Sequence, residues 1–487
     1  MDNSAKFSLR QRAASGGKWT AISAVAGIAI QLLQISVLGR LLNPADFGLM
    51  AMMMVVVGLA NSIADFGLGN YLVQAETLSR QLLTQFFLLG TTLAALLALT
   101  IALLADQVAI YYNSPALSSL LPWLALGVIV ATVSQIQFAV LQRYFKFQAI
   151  AIVEITASMI GLVVTVLLAS FGYGVWSLVV GQIALGSCKT IFYFRYTHQA
   201  LASLPKTCQA RLSDAIRFGS FQVAERFVNC LSQNLDKIVI GHLLGTVVLG
   251  IYSVAFQIMV RPYSILNPIF TRVSLPVFSH IKHDHKRLAD GYLQILRTIA
   301  LLSFPIYMSI AIASKAVVSL LLGNQWSSAA PILSILCFLG ILFSLGNPLG
   351  TLLVAKCKPA WGFYMNLICL FVYAIAFWVG SAFGLMGVAL AFLLSAAIIL
   401  YPIDFYVRWK LVGMTVREYF GAMKHLFIGL AIPIGIYAIL LMNKMTPQDK
   451  LTQILSAIMS VVIFFIYLSI FEKSLLKSTY KLLYHGE

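Results

Sequence analysis

Residues 39–48 read Gly39-Arg-Leu-Leu-Asn-Pro-Ala-Asp-Phe-Gly48, and 202 positions later the chain reads Gly241-His-Leu-Leu-Gly-Thr-Val-Val-Leu-Gly250. Each copy joins a long apolar segment spotted with polar residues to the next apolar segment. Gly17 and Gly219 keep the same offset, and Phe171-Gly172 recurs as Phe383-Gly384. Six apolar segments separate the copies of the turn, an even number, so both halves enter the membrane in the same sense. A parallel repeat related by an axis along the membrane normal is a transporter architecture, with its site near the midplane between the halves.

The segments around these turns are long enough to cross a bilayer, since about 20 apolar residues span roughly 30 Å of hydrocarbon. Fourteen are expected: 19–41, 47–70, 83–105, 118–141, 148–170, 174–195, 214–242, 246–272, 292–322, 328–355, 360–381, 384–407, 421–442 and 452–471. Of the 487 residues, 60% are hydrophobic and only 10% charged. Soluble domains carry about 25% charged residues to cover their surface, so the class is an all-α polytopic membrane protein. Two six-helix lobes, 1–196 and 197–410, are followed by two further spans and a tail, 411–487.

The net charge of +17 comes mostly from topology. With the N-terminus in the cytoplasm, the inner segments hold 25 Lys and Arg, Arg408 among them, while the outer loops hold Arg40, Lys444 and Lys450. That asymmetry places both termini inside. Nucleic acid is excluded as a partner, because no soluble basic domain exists to hold it. The six cysteines show no CxxC pairing and read as small apolar side chains. No GxxxxGK[ST] loop exists for ATP, and His280, His283 and His285 read as a solvated loop.

Five cations remain inside spans: Arg226, Lys237, Arg261, Arg297 and Lys315. Arg226 and Arg261 lie about 18 Å and about 22 Å from the ends of their spans at 1.5 Å per residue, too deep to snorkel. Arg297 and Lys315 are near enough to span ends to reach headgroups, and Lys237 adjoins Asp236 as a local neutral cluster. A guanidinium fork suits phosphate, so two deep arginines point to an anionic lipid headgroup. The competing reading is that Glu225, Asp236 or Glu154 neutralises Arg226 in the empty protein. At 100° per residue, Gln222, Arg226, Asn229, Gln233 and Lys237 share a stripe about 80° wide, and Thr20, Gln31 and Gln34 fall on a matching stripe of span one. The two stripes read as walls of a shared cavity, or as hydrogen-bonding glue between packed helices. Asp65, Glu154 and Asp404 are close enough to span ends to be solvated, while Asp236, Glu154 and Glu225 are the candidates for coupling to a proton or sodium gradient. No other cofactor is called for. Pro262, Pro268, Pro276, Pro305, Pro348, Pro402 and Pro433 crowd the second half, where they mark bent helices.

Three stretches resemble the polysaccharide transporter family of the multidrug/oligosaccharidyl-lipid/polysaccharide exporter superfamily, in its Wzx-type flippase branch of colanic acid and teichuronic acid exporters. They are Leu38-Gly-Arg-Leu-Leu-Asn-Pro-Ala-Asp-Phe-Gly-Leu-Met-Ala-Met52 with Ala64-Asp-Phe-Gly-Leu-Gly69, Asn234-Leu-Asp-Lys-Ile-Val-Ile-Gly-His-Leu-Leu-Gly245 with Leu249-Gly-Ile-Tyr252, and Leu321-Leu-Gly-Asn-Gln-Trp326 ahead of Pro331. The resemblance implies two lobes enclosing a cationic cavity that works by alternating access. Its implied cargo is an undecaprenyl-pyrophosphate-linked oligosaccharide, flipped across a bacterial inner membrane and passed to polysaccharide polymerase and export machinery. On that reading Arg226 and Arg261 hold the pyrophosphate, Gln222, Asn229, Gln233, Thr20, Gln31 and Gln34 meet sugar hydroxyls, and Lys237 and Arg297 are further substrate-binding candidates. Two alternatives stand beside it: a cation-coupled exporter of another amphiphile on the same fold, and a membrane polymerase or glycosyltransferase of the same pathway. The outer loops are short, and the longest of them hold one acid each, Asp106 and Asp449, which speaks against the enzyme.

Overall fold

The computed structural model describes residues 3–65, 72, 79–202, 212–442, 449–473 and 475–476. Lys206, Cys208, Arg211, Lys444, Lys477, Lys481 and the 66–69 part of the second motif lie outside the described residues, as does the side chain of Gln222. Every regular element among the described residues is helical. In the first part of the chain these are α1 (Asn3–Leu41), α2 (Pro44–Ala64), α3 (Arg80–Leu103), the short α4 (Ala105–Tyr111), α5 (Ala116–Arg143), α6 (Phe147–Ser170) and α7 (Val175–Ala202). The long α8 (Leu212–His280) follows, then α9 (His285–Ile312), α10 (Ser314–Leu321), α11 (Ala329–Ala355), α12 (Pro359–Ser381), α13 (Gly384–Ser395), α14 (Tyr401–Val412), α15 (Val416–Met442) and α16 (Lys450–Phe471).

Thirteen stretches among the described residues are long and apolar enough to cross a membrane. One of them, Glu225–His280, has 56 residues, about 84 Å of helix at 1.5 Å per residue, far more than one crossing needs. It is broken at Gly245, where φ is +84° and ψ 179°, a backbone state that only glycine adopts cheaply. Counted as two spans, it brings the total to about fourteen. Segments seven and eight are therefore two helices meeting at a one-residue break, without a loop between them. Expected segment nine, 292–322, is also two elements, because the helix stops at Ile312 and restarts at Ser314. Both sides of that break are apolar, so hydropathy does not reveal it.

The surface explains why the chain needs lipid. Within α12 an 18-residue window of 360–381 has only 6% of its residues buried, and Phe371, Ile375 and Trp378 are 63%, 65% and 70% exposed. A helix apolar all round with so little of itself covered by protein is covered by hydrocarbon.

The chain forms two compact units, Met1–Gly250 and Ile251–Glu487. In the first, α5 packs on α2, α3 and α7, and α6 lies between α1 and α7. Small residues bring α6 and α7 together: a Cβ on Gly181 would sit 1.8 Å from the Thr165 hydroxyl. Such contacts drive helix association in lipid, where burial of apolar surface gives no advantage. In the second unit α9 packs on α11, α15 and α16, and α12 on α13. Its interior is aromatic, with Tyr252, Phe278, Tyr292, Phe304, Tyr307, Trp326 and Tyr419 fully buried. A π-turn at Ala396–Leu400 leads into Pro402 and α14, as expected where a proline interrupts the hydrogen-bond ladder.

The repeated turns meet inside the first unit. The first copy starts α2 with Asn43, Pro44 and Asp46, and the Asp46 carboxylate accepts a hydrogen bond from the Asn43 backbone N–H at 3.1 Å, half of a capping box. A Cβ on Gly48 would lie 1.8 Å from the Thr246 carbonyl oxygen, and one on Gly250 would lie 1.8 Å from the Pro44 carbonyl oxygen. Thr246 and Pro44 are themselves 202 positions apart. The two copies thus exchange one contact: each glycine receives the helix start of the other copy, backbone against backbone.

Candidate functional site

A cavity of about 590 Å³ opens in the first unit between α2, α5 and the first half of α8. Helix geometry aims its lining: residues three, four or seven apart share a face. From α8 come Arg226, Asn229 and Gln233 with Glu225 and Cys230; from α2 and its end come Asn61, Ser62 and Asp65; from α5 come Thr132 and Gln135. Three residues of the span-seven stripe, Arg226, Asn229 and Gln233, therefore line a cavity, while Lys237 is not among the described lining residues. The cavity's opposite walls are spans two and four. Thr20, Gln31 and Gln34 of span one are not among the lining residues; α1 packs on α6, and the Thr20 hydroxyl donates to the Gly16 carbonyl at 2.8 Å.

Arg226 is half-buried and makes an ion pair with Asp65. Its neutralising carboxylate is thus neither Glu225 nor Asp236 nor Glu154, and Asp65 is not simply solvated. Angular arithmetic along one helix misses this pair, because the partner stands on another helix 161 positions away in sequence. A usable signal existed: Asn61 and Asp65, four residues apart, put an amide and a carboxylate on one face of span two. Further along α8, the Gln233 amide donates to the Asn229 side-chain oxygen at 2.5 Å. Among the described residues the cavity thus holds one guanidinium, two carboxylates and a set of amides and hydroxyls. The formal charges of these described residues sum to −1 when both acids are ionised.

The other candidates separate by their neighbours. Asp236 is 3% exposed and accepts from the Lys237 backbone N–H at 2.8 Å, while the Lys237 ammonium donates to the Asn234 side chain at 2.8 Å. These contacts set Asp236, Lys237 and Asn234 side by side at the end of span seven. Glu154 belongs to a second cavity of the first unit, about 360 Å³, that adjoins the first through Asn61, Ala131 and Gln135. There Lys189 donates to one carboxylate oxygen at 2.6 Å and Tyr193 to the other at 2.7 Å. Glu154 is therefore paired where span-end solvation was expected.

In the second unit Arg261 is half-buried on α8, and the Ser264 hydroxyl donates to its carbonyl at 2.8 Å. Arg297 reaches Glu472, just past α16, at 2.5 Å, so a carboxylate meets it where a headgroup was expected. Asp404 lies 3.9 Å from Arg408, whose side chain is wholly buried. Arg408, counted above as a loop cation, instead points into the unit among the rings of Tyr401, Phe405 and Tyr419, between 5.1 and 5.9 Å from their centroids. Its Nε and one Nη have no hydrogen-bond partner. The signal for it was a Tyr401-Asp404-Arg408 face at helical spacing, which a loop would not need.

This chain has a fold shared with solved flippase and multidrug-transporter structures. It superimposes on a lipid II flippase, MurJ, in an inward closed conformation with a TM-score of 0.74 over 95% of this chain and 99% of that one, at 12% identity. A multidrug resistance MATE transporter of the MOP superfamily, inward-facing, matches with a TM-score of 0.62 over 80% of this chain and 98% of its own, at 11% identity. Within that class, the chain belongs to the polysaccharide biosynthesis protein family, which it matches over residues 37–331. It is 31% identical to the lipopolysaccharide biosynthesis protein WzxC of Escherichia coli K12, covering 85% of this chain and 84% of that one. The teichuronic acid biosynthesis protein TuaB of Bacillus subtilis 168 is 28% identical over 86% and 87% of the two chains.

Proposed function

We propose that this protein flips undecaprenyl-pyrophosphate-linked oligosaccharide units from the inner to the outer leaflet of a bacterial cytoplasmic membrane by alternating access, for assembly of a cell-surface polysaccharide. The observation that carries the reading is the cavity of Arg226: a guanidinium inside a membrane helix, among the side chains of Asn61, Gln135, Asn229 and Gln233. A charge at that depth costs several kcal/mol unless it meets a partner or ligand, and a guanidinium binds pyrophosphate through paired hydrogen bonds. Amides on both sides of it match sugar hydroxyls as donors and acceptors. The names of the relatives, both polysaccharide biosynthesis proteins, support the same cargo class.

The reading includes both termini on the cytoplasmic side, an ion gradient as energy source, and handover of the flipped unit to a polymerase. One observation favours a second reading: two carboxylates against one arginine suit a cationic amphiphile, as for a drug exporter.

Purified protein in liposomes, loaded with a fluorescent undecaprenyl-pyrophosphate oligosaccharide, separates the two. Exposure of the headgroup to an outside quencher should be fast for the wild type and lost for Arg226→Ala at equal protein level. Full exposure with Arg226→Ala removes the arginine from the assignment. Efflux of a cationic dye without exposure of the oligosaccharide would establish the second reading.

A further inference from the structure

A further cavity of the first unit, about 410 Å³, lies between α3, α5 and α7 and shares no described lining residue with the two above. Arg80 is the first residue of α3, and His198 stands near the end of α7. Both therefore sit at the same end of the unit as Arg143, the last residue of α5. The charge asymmetry of the loops assigns that end to the cytoplasm. Among the described residues that line the cavity there is no acid. Phe87, seven residues or about 10 Å along the helix from Arg80, makes the deeper wall apolar together with Ile136 and Phe194. Phe194 is 52% exposed, and Ile191, one turn away, 65%. The apolar wall thus runs out onto the surface that hydrocarbon covers.

Gln137 is the polar group set deepest in this wall. It is 6% exposed, and its side-chain oxygen is buried without a hydrogen-bond partner among the described residues. A buried acceptor left without a donor is costly. A half-turn of the amide exchanges its oxygen and nitrogen, so the group can offer the cavity an acceptor or a donor. The hydroxyls beside it are committed elsewhere: Thr84 donates to the Arg80 carbonyl and Thr197 to the Tyr193 carbonyl, each at 2.9 Å.

We infer that this cavity binds an anionic glycerophospholipid with hydroxyls in its head, of the phosphatidylglycerol type, drawn from the inner leaflet. Basic pockets between membrane helices on the cytoplasmic side suit such heads. Arg80 and His198 hold the phosphodiester, the guanidinium through paired hydrogen bonds. The Gln137 amide meets a head hydroxyl, which donates as well as accepts. The acyl chains lie along Phe87 and Phe194. A free phosphate would leave that apolar wall unused, and an ammonium head would set a second cation beside Arg80. The bound lipid joins α3 to α7, each of which packs on α5, and it does so apart from the cavity of Arg226, whatever cargo that cavity takes.

Native mass spectrometry tests this on the full chain, stripped of lipid in detergent and titrated with four probes. They are phosphatidylglycerol, phosphatidylmethanol (the same phosphodiester charge without head hydroxyls), phosphatidylethanolamine and glycerol 3-phosphate. The expected result is one tightly held phosphatidylglycerol, bound about fivefold better than phosphatidylmethanol, the worth of about one hydrogen bond. Arg80→Gln with His198→Gln should weaken that copy about tenfold. Gln137→Leu should abolish the preference for the glycerol head and leave phosphatidylmethanol binding unchanged. Glycerol 3-phosphate or phosphatidylethanolamine bound as tightly as phosphatidylglycerol overturns the inference. So does a tight copy that survives the loss of both Arg80 and His198. A wild type that does not distinguish phosphatidylglycerol from phosphatidylmethanol overturns it as well, and that comparison needs no variant to fold.

Discussion

Adding one methyl group to Gly48 or Gly250 should be felt strongly, and adding both should cost little more than adding one. Each new Cβ would start 1.8 Å from a backbone carbonyl oxygen of the other copy, where 3.0 Å is the closest that real Cβ atoms come. The two helix starts must therefore move apart by about 1.2 Å or more, since a backbone oxygen, unlike a side-chain tip, cannot swing away. Overpacking of that kind costs about 1–3 kcal/mol. The contact is exchanged, so one widening makes room for both methyl groups. Gly48→Ala with Gly250→Ala should then show an interaction energy of about −1 kcal/mol or larger in magnitude in a double-mutant cycle. Reversible unfolding in mixed micelles with increasing SDS, followed by helical circular dichroism, measures each corner of the cycle. Gly17→Ala is the control: it has open space around it and, as a helix-interior glycine, should be neutral or stabilising by up to about 1 kcal/mol. Single variants as stable as wild type, or two penalties that simply add, would refute the exchanged contact.

Other expectations follow from the charged side chains. Asp404→Ala removes the carboxylate facing the wholly buried Arg408 and should destabilise the protein by about 3 kcal/mol, whereas adding Arg408→Met should restore most of that loss; the same SDS titration reads both. Glu154→Gln should cost about 1 kcal/mol, because its side chain and that of Lys189 are 34% and 24% exposed and partly screened.

The spans and the repeat were legible because they rest on two signals that a sequence carries openly: apolar runs of bilayer length, and a motif that returns at a fixed offset. The face of span seven was legible for a similar reason, since helical periodicity depends only on neighbours along the chain. What joins one helix to another was not. Asp65 beside Arg226, Glu154 beside Lys189 and Arg297 beside Glu472 are pairs brought together by packing, and nothing in either partner's local sequence names the other. Arg408 was missed for a different reason: counting it with a basic loop satisfied the charge asymmetry, so its burial left no discrepancy to notice. Span one resembled span seven in its polar stripe, yet α1 rests on α6. Equivalent positions in a repeat need not keep equivalent neighbours.

The exchanged glycine contact has an evolutionary reading. Residue i of one copy against residue j of the other, and j against i, is the signature of a two-fold homodimer, and here it occurs within one polypeptide. While such copies are separate identical subunits, every substitution appears on both sides of the axis, so neither can specialise. Once they are joined in tandem each side mutates alone. The turn shows the outcome: the first copy has Asn43 at an extended φ of −85° with a capping acid after it, and the second has Gly245 at +84° and no acid at the matching position. Gly48 and Gly250, the glycines that keep the two backbones close, still answer to both copies, and there the ancestral symmetry can still be read.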